Sequence, residues 1–225
     1  MDQAFLERVI QSLPRTPGIS GRDDYLNSAV LVPLVHWQGQ WQLLFEKRTA
    51  GIRQGGEICF PGGVIRRGRE SAEETAVRET MEELGLPAAD IRRLGRLDTF
   101  VSPTGLIVDV VVGCLPRTDP TTLVINPGEV ERIFTVPLTF FLEHEPERHQ
   151  VLVQAHPYIE KEGGHREILF PAKALGLPDR YDSPWTGMHT TVLIYRFNSE
   201  IIWGITAAIV ADLVRRLPFD AAATP

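Results

Sequence analysis

Cysteine is scarce in this 225-residue sequence: there are two, Cys59 and Cys114, far apart and in no CxxC pair. Their number and spacing exclude a disulfide framework and a cysteine-rich zinc site, and they favour a reducing, cytoplasmic setting. A basic excess is also absent, because 23 Lys and Arg stand against 29 Asp and Glu, for a net charge of −6. That balance argues against a general nucleic-acid-binding protein, which would present a basic face.

Long apolar runs and targeting signals are missing as well. No apolar run approaches the roughly 20 residues that span a bilayer. The apolar segment 201–211 is too short, and Asp212 and Arg215 follow it. The N-terminus has neither the basic nor the apolar region of a signal peptide. We therefore expect no association with membranes.

The sequence does contain short apolar segments separated by turn residues. Four have the composition of β-strands: 29–35, 41–45, 106–115 and 190–197. Four others have the pattern of helices: 2–13, 72–84, 138–143 and 201–217. Gln38-Gly39 predicts a hairpin turn between the first two strands. This succession predicts an α+β domain, layered as an α/β/α sandwich.

We expect a single domain over residues 1–225, because a chain of this length can bury a core without disulfides or metals. Residues 1–27 would form an N-terminal extension to it. The stretch at about 144–190 mixes His, Pro and Gly with short apolar pieces, and it predicts an irregular insertion. This insertion is a candidate lid or homodimer element.

The helix at 72–84 has clear signals at both ends. Ser71 is a good N-cap and Glu74 lies three residues further on, which together form a capping box. Gly85 suits the position just after a helix, and Pro87 prevents continuation.

Three carboxylates fall on one face of this helix. Glu79, Glu82 and Glu83 are at positions i, i+3 and i+4, where like charges repel. The helix has no Lys to relieve the repulsion. Clustered hard oxygen ligands suit Mg²⁺ or Mn²⁺. From the helix alone, a metal site and a solvated acidic face are both open.

The surrounding segment resembles the Nudix box, a loop–helix–loop signature of hydrolases. The shared positions are Gly63, Glu70 and, after seven residues, the run 78–86, Arg-Glu-Thr-Met-Glu-Glu-Leu-Gly-Leu. The sequence departs from the family pattern twice. Six residues rather than five separate Gly63 from Glu70, and Thr80 replaces an aliphatic residue. The resemblance implies a Nudix fold with a mixed β-sheet between helices and hydrolysis of a nucleoside diphosphate derivative.

The resemblance also implies roles for individual residues. Glu79, Glu82 and Glu83 would ligate Mg²⁺ or Mn²⁺, with the carbonyl of Gly63 or of Gly62 as a further ligand. Arg78 would orient Glu79 through a charge-assisted hydrogen bond. These four side chains, Arg78, Glu79, Glu82 and Glu83, form the predicted catalytic set.

Other carboxylates are candidates for supporting roles. Glu70 is a further metal ligand or a salt-bridge partner. Glu129 and Glu131, beside the Asn126-Pro127-Gly128 turn, are candidates for the general base, because members of the family differ in which carboxylate serves. Glu129 is also a candidate ligand.

The segment before the box resembles the coenzyme A pyrophosphatase branch of the family. Arg48, Arg53 and Phe60 match its additional motif and are predicted to bind substrate. Glu46 stands where that branch usually has Thr, and the interval between Arg53 and Gly56 is one residue short. The resemblance implies cleavage of coenzyme A into 4′-phosphopantetheine and adenosine 3′,5′-bisphosphate.

Two other functions remain open. The same chemistry could act on ADP-ribose, NADH or another nucleoside diphosphate derivative. A ligand-sensing Nudix domain without turnover is the third alternative, although its box would be expected to be degenerate.

Overall fold

The computed structural model of the protein describes residues 3–116 and 118–217. The parts of the predicted domain at residues 1–2, 117 and 218–225 lie outside these ranges. Four α-helices occur within them: α1 (Gln3–Ser12), α2 (Ala72–Leu84), α3 (Leu138–Glu143) and α4 (Gly204–Arg216). The strands are β1 (Leu26–Trp37), β2 (Gln40–Arg48), β3 (Ile58–Cys59), β4 (Gly62–Val64), β5 (Arg92–Arg96), β6 (Phe100–Val101), β7 (Leu106–Cys114), β8 (Val130–Pro137), β9 (Glu147–Ala155), β10 (Tyr158–Glu160), β11 (Arg166–Ile168), β12 (Trp185–Phe197) and β13 (Glu200–Trp203).

The main sheet has eight strands and is mixed. Its central order is β3-β2-β1-β7-β5, with β4 on β1, β6 on β7 and β8 on β2. Strands β1 and β7 pair in parallel, and the other pairs in this sheet are antiparallel. The predicted hairpin turn joins β1 to β2, and both Gln38 and Gly39 have positive φ, as a tight two-residue turn requires.

Two apolar clusters cover the two faces of this sheet. Helix α2 contributes Ala76 and Leu84 to one cluster, which also contains Leu31 of β1. Helix α4 contributes to the other, which contains Val32 of the same strand and Val110 of β7. Neighbouring residues of β1 therefore point to opposite layers, as the period of a strand dictates. The predicted α+β sandwich, with a mixed sheet between helices, is confirmed.

The C-terminal half differs from the prediction in two places. Residues 201–203 belong to β13 rather than to the terminal helix, because they pair with β12 before α4 begins at Gly204. The stretch 144–190 is only partly irregular. Within it, β9 pairs along β12 to form the sheet β13-β12-β9, and β10 and β11 form a separate small hairpin.

An ion pair from Arg22 ties the N-terminal extension to the sheet. Asp109, the one charge in β7, is 2% exposed and is bound by Arg22 and by Arg96, at 2.8 Å for the latter. Thr99 donates a further hydrogen bond of 2.7 Å to it. Helix α1 forms as predicted, but its apolar stripe is exposed, with Ile10 69% accessible. None of the helices in the described ranges has the length and hydropathy needed to cross a membrane.

Candidate metal and catalytic site

Helix α2 begins and ends as its sequence predicts. The Ser71 side chain accepts a hydrogen bond from the Glu74 N–H, and the Glu74 carboxylate accepts one from the Ser71 N–H, so both halves of the capping box are present. Gly85 ends the helix with a left-handed φ of 67°. A side chain at Gly85 would overlap the carbonyl oxygen of Val124. Glycine is therefore required there both by conformation and by space.

Arg78 organises the carboxylates on one side of the helix. Its Nε and one Nη each donate a hydrogen bond of 2.9 Å to Glu70, a two-point contact. The same guanidinium pairs with Glu79 at 2.8 Å and with Glu82 at 3.1 Å. The two-point contact with Arg78 lowers the pKa of Glu70 to about 2. Of its two predicted roles, Glu70 therefore takes that of salt-bridge partner in this structure.

Three carboxylates converge to form an acidic cluster. One oxygen of each of Glu79, Glu83 and Glu129 lies within 4.8 Å of the others. Glu83 is 1% exposed and accepts a hydrogen bond of 2.9 Å from the Gly62 N–H. Burial and the neighbouring negative charges, first that of Glu46, raise the pKa of Glu83 to about 9. Burial also raises the pKa of Glu79, against the opposing effect of Arg78.

Two sequence candidates lie outside this cluster. Glu82 is half-exposed and its carboxylate pairs with Arg78, so it is not one of the three converging groups. That Glu82 ligates the cation together with Glu79 and Glu83 stays a prediction. Glu131 pairs with Lys47 at 2.8 Å. Of Glu129 and Glu131, the structure therefore brings Glu129 to the cluster.

A fourth carboxylate near the cluster was missed as a functional residue. Glu46 is fully buried in β2, and burial raises its pKa to about 7. Its neighbour across the strand pair is Cys59, whose thiol donates to Glu46 Oε1 at 3.4 Å. In the sequence, Glu46 stands out only as a departure from the branch motif. The period of a strand would have indicated its orientation, since Glu46 lies two residues after the buried Leu44 on the same side of β2.

The loop before the helix can approach the cluster because it contains glycines. A side chain at Gly63 would overlap the Glu79 carboxylate, and one at Gly62 would overlap the backbone of Ala29. The loop thus brings the Gly62 N–H to Glu83 and the Gly63 backbone to Glu79. That the Gly63 carbonyl is a metal ligand stays a prediction.

The donor set of the cluster fits a hard divalent cation. Its three members supply carboxylate oxygens, the ligands that Mg²⁺ and Mn²⁺ prefer. One more oxygen close by, Glu46 Oε2, is buried and has no hydrogen-bond partner among the described residues. Such a group carries a desolvation cost that a bound cation would relieve. The residues present therefore fit the divalent cation that Nudix hydrolases generally use.

The predicted substrate residues have different environments. Arg48 is partly exposed at the end of β2, and its Nε donates to the carbonyl of the exposed Arg53, in the following loop, at 3.3 Å. Phe60 is 3% exposed and stacks on Phe45 at 4.9 Å between ring centroids. The predicted substrate contact of Phe60 does not fit this burial, because its ring fills the core beneath α4.

A separate cavity of about 650 Å³ lies between α3, α4 and β12. Its walls include Phe141, Tyr195 and Ile209, which belong to the apolar cluster beneath α4. The acidic cluster is built instead on α2, which packs on the opposite face of the main sheet. The acidic cluster and this cavity therefore lie on opposite faces of the main sheet.

Comparison with known proteins agrees with this geometry. A model of the NUDIX domain matches residues 26–157. An uncharacterized Nudix hydrolase, NudL, of Photorhabdus laumondii is 29% identical over 214 residues, 95% of this chain and 96% of that protein. Nudix hydrolase 3 of Caenorhabditis elegans is 38% identical over 121 residues, 52% of this chain and 50% of that protein.

Solved structures of Nudix proteins align with this chain at low identity. A MutT/nudix family protein from Enterococcus faecalis aligns over 96% of this chain and 69% of its own, with a TM-score of 0.45 and 16% identity. An Ap4A hydrolase of Caenorhabditis elegans aligns over 50% of this chain and 80% of its own, with a TM-score of 0.43 and 19% identity. These values leave the substrate open. The NUDIX match spans more than half of the chain and includes both the glycine loop and helix α2, and the protein is therefore a member of the Nudix hydrolase family.

Proposed function

We propose that this protein hydrolyses the diphosphate bond of coenzyme A or its derivatives, with Mg²⁺ or Mn²⁺ as cofactor. The products would be 4′-phosphopantetheine and adenosine 3′,5′-bisphosphate. The observation that carries the hydrolytic part is the convergence of Glu79, Glu83 and Glu129 to within 4.8 Å beside Arg78. The substrate part rests on Arg48 and Arg53, which match the branch motif and are joined by a hydrogen bond from Arg48 Nε to the Arg53 carbonyl.

Some residues of the chain would bind the cation, and another would accept a proton. Glu79 and Glu83 would ligate the cation, and Arg78 would keep Glu79 oriented through their 2.8 Å ion pair. When bound, the cation would neutralise part of the diphosphate charge and make a nearby water more acidic. Glu129, which comes from a separate turn, would accept the proton of the attacking water.

Coenzyme A carries a 3′-phosphate in addition to its diphosphate, so its binding needs cationic groups beyond the metal. The guanidinium group binds phosphate in two-point contacts and stays charged at any physiological pH. Arg53 is exposed, and the bond from Arg48 Nε to its carbonyl fixes the loop that carries it. We assign the 3′-phosphate to these two side chains.

The burial of Phe60 removes one of three residues on which the choice of coenzyme A rested. ADP-ribose and NADH therefore remain the second candidates for the substrate. A NUDIX domain of Shewanella oneidensis NrtR is known in complex with ADP ribose, and this chain is 19% identical to it. That identity supports the shared fold only.

A product assay decides between these substrates. The protein is incubated with Mg²⁺ or Mn²⁺ and, separately, coenzyme A, ADP-ribose, NADH and Ap4A, and the products are identified by mass. We expect 4′-phosphopantetheine from coenzyme A. Cleavage of ADP-ribose with coenzyme A intact would overturn the substrate assignment, and turnover of none of the four would favour a ligand-sensing domain.

Two matched variants test whether the acidic cluster is responsible for the activity. Glu83→Gln should abolish turnover of whichever substrate is cleaved. Glu131→Gln removes the same charge from a residue that pairs with Lys47 instead, and it should retain activity. Equal activities of the two variants would mean that the acidic cluster is not the reaction centre.

We also propose that the protein works in the cytoplasm, where its free Cys59 and Cys114 would stay reduced, and that it forms a homodimer. The insertion supports the second proposal, since Leu152 and Met188 on β9 and β12 are each more than half exposed. Light scattering should give twice the mass of the chain. A monomer mass at micromolar concentration would contradict the dimer.

A further inference from the structure

The most unusual buried side chain in the protein is that of Glu46. It lies in β2 directly after Leu43, Leu44 and Phe45, and like them it is fully buried. A carboxylate in such surroundings normally has a cationic or hydrogen-bonding partner for each oxygen. Only one of the two carboxylate oxygens of Glu46 has a hydrogen-bond partner among the described residues.

The two oxygens of Glu46 differ in their contacts. Oε1 accepts the hydrogen bond from the Cys59 thiol at 3.4 Å, whereas Oε2 is buried and has no partner among residues 3–116 and 118–217. The positive charge of Arg48 lowers the pKa of Glu46. Its Nε, however, donates to the Arg53 carbonyl and not to the carboxylate. Among the described residues, no hydrogen bond therefore offsets the desolvation of Oε2.

Those surroundings are the acidic cluster. The charges of Glu79 and Glu129 act on Glu46, and Glu46 is the charged neighbour that acts most strongly on Glu83. Glu83 in turn is fixed by the Gly62 N–H, which engages only one of its oxygens. Glu46 lies opposite Cys59, and Glu83 binds the N–H of Gly62 three residues further along, so the two buried carboxylates contact the same short segment. Each has an oxygen that these contacts leave free. A cation placed between them would satisfy both.

We propose that Glu46 is a further ligand of the divalent cation site, and that its Oε2 binds a cation together with the carboxylate of Glu83. Cys59 is a positioning residue in this arrangement, because its thiol holds Oε1 and leaves Oε2 as the oxygen that can bind the cation. The inference rests on the proposed metal-dependent function and adds to it a carboxylate from outside the helix and its loop.

Burial and the charge of Glu46 raise the pKa of Cys59. Cys59 is therefore a neutral thiol that donates to the carboxylate. Cys59 Sγ is not a ligand of the cation in this arrangement, which agrees with the preference of Mg²⁺ and Mn²⁺ for oxygen.

Direct measurement of Mn²⁺ binding tests this proposal. Metal-free protein is titrated with Mn²⁺ at pH 8, and the free ion is followed by electron paramagnetic resonance. Glu46→Gln removes the charge and keeps the shape, and Glu46→Ala removes both oxygens. We expect each to lose one bound ion or to weaken Mn²⁺ binding on the order of 10-fold, since affinity follows the charge and number of the ligands. Glu131→Gln should bind as the wild type does.

Thermal unfolding separates a metal-binding role from a structural one. Without metal, Glu46→Gln should unfold at the wild-type temperature or above it, because an uncompensated buried charge has been removed. With saturating Mn²⁺, its rise in unfolding temperature should be smaller than that of the wild type. Equal rises and equal Mn²⁺ titrations in the two proteins would overturn the proposal.

Cysteine variants give a test that leaves Glu46 in place. Cys59→Ala removes the hydrogen bond and should weaken Mn²⁺ binding several-fold, and Cys59→Ser keeps a donor and should restore it. Unchanged binding in Cys59→Ala would refute the positioning role. If the wild type binds no Mn²⁺, the proposed function fails as well. If the wild type binds Mn²⁺ and hydrolyses substrate while every Glu46 variant binds equally, only this inference fails.

Discussion

The carboxylate of Glu83 accepts a hydrogen bond of 2.9 Å from the backbone N–H of Gly62, across 21 positions of the chain. This bond joins the last turn of helix α2 to the glycine loop that precedes it. It engages one of the two carboxylate oxygens of Glu83. The position of Glu83 in the cluster is thus set by the loop as well as by the helix.

Replacing Glu83 by Gln should lower turnover by at least about 100-fold, because the charge that would hold the cation is lost. The protein should remain folded, since the amide occupies the same space and its oxygen can still accept from Gly62. Steady-state kinetics with Mg²⁺, together with circular dichroism, would measure both effects. Activity within a few-fold of the wild type would show that Glu83 does not hold the cation.

The metal-free protein should be least stable at alkaline pH. Glu83, with its pKa raised to about 9, and Glu46, with its pKa raised to about 7, bind more protons in the folded than in the unfolded state. The free energy of unfolding therefore falls as pH rises from about 5 to 9. Unfolding temperatures in a chelating buffer should show this fall, and Glu83→Gln should flatten it. A wild-type curve that rises over this interval would contradict the burial of both charges.

Glu70 acts in the opposite direction at acid pH. Its pKa of about 2 lies below the ordinary value of 4.5, so its contribution is present above that value and is lost as pH falls toward 2. The metal-free protein should therefore be most stable near pH 5, where unfolding temperatures in a chelating buffer should have their maximum.

Arg78→Lys should be a damaging change although it keeps the charge. An ammonium group cannot make the two-point contact with Glu70 and also reach Glu79 and Glu82, as the guanidinium does. We expect kcat to fall on the order of 10-fold to 100-fold, as is typical when the groups that orient metal ligands are altered. Arg216→Lys, at a surface ion pair with Asp212, is the matched control. Similar kcat values for both variants would argue against an orienting role.

Asp109→Ala should destabilise the fold without touching the chemistry. The buried carboxylate is held by Arg22, Arg96 and Thr99, and its removal leaves these donors without their acceptor. We expect the free energy of unfolding to fall by about 3 kcal/mol. Denaturant unfolding would measure the loss, and kcat of the folded fraction should be unchanged. A loss below about 0.5 kcal/mol would mean that the N-terminal extension is not anchored through this residue.

Helix α2 was predictable to the residue because its signals are local. Ser71, Glu74 and Gly85 act on backbone groups within one turn of themselves, so the sequence contains the whole cause. The buried Thr80 is also explained locally: its hydroxyl donates to the Ala76 carbonyl at 2.7 Å, which lets a polar residue take an apolar position.

The members of the cluster were less predictable because they meet through tertiary structure. Helical periodicity places Glu79, Glu82 and Glu83 on one face, but it does not indicate that Arg78 holds the carboxylate of Glu82. Glu46 comes from a strand, and its burial depends on the pairing of β2 with β3 and β8. Likewise, Trp203 and its neighbours have a helical pattern yet form β13, because β12 provides a partner strand.

The parallel pairing of β1 with β7 has a consequence for synthesis on the ribosome. In this pairing Leu26 lies opposite Leu106 and Leu34 lies opposite Cys114. The partner of β1 is therefore synthesised about 80 residues after it. Until then the edge of β1 that β7 will cover lacks its hydrogen-bond partners, and apolar residues such as Leu31 and Val32 are without their full covering layers. Contacts this distant form slowly. The nascent N-terminal half is therefore the part of the protein that most needs protection from aggregation, whether by chaperones or by rapid translation.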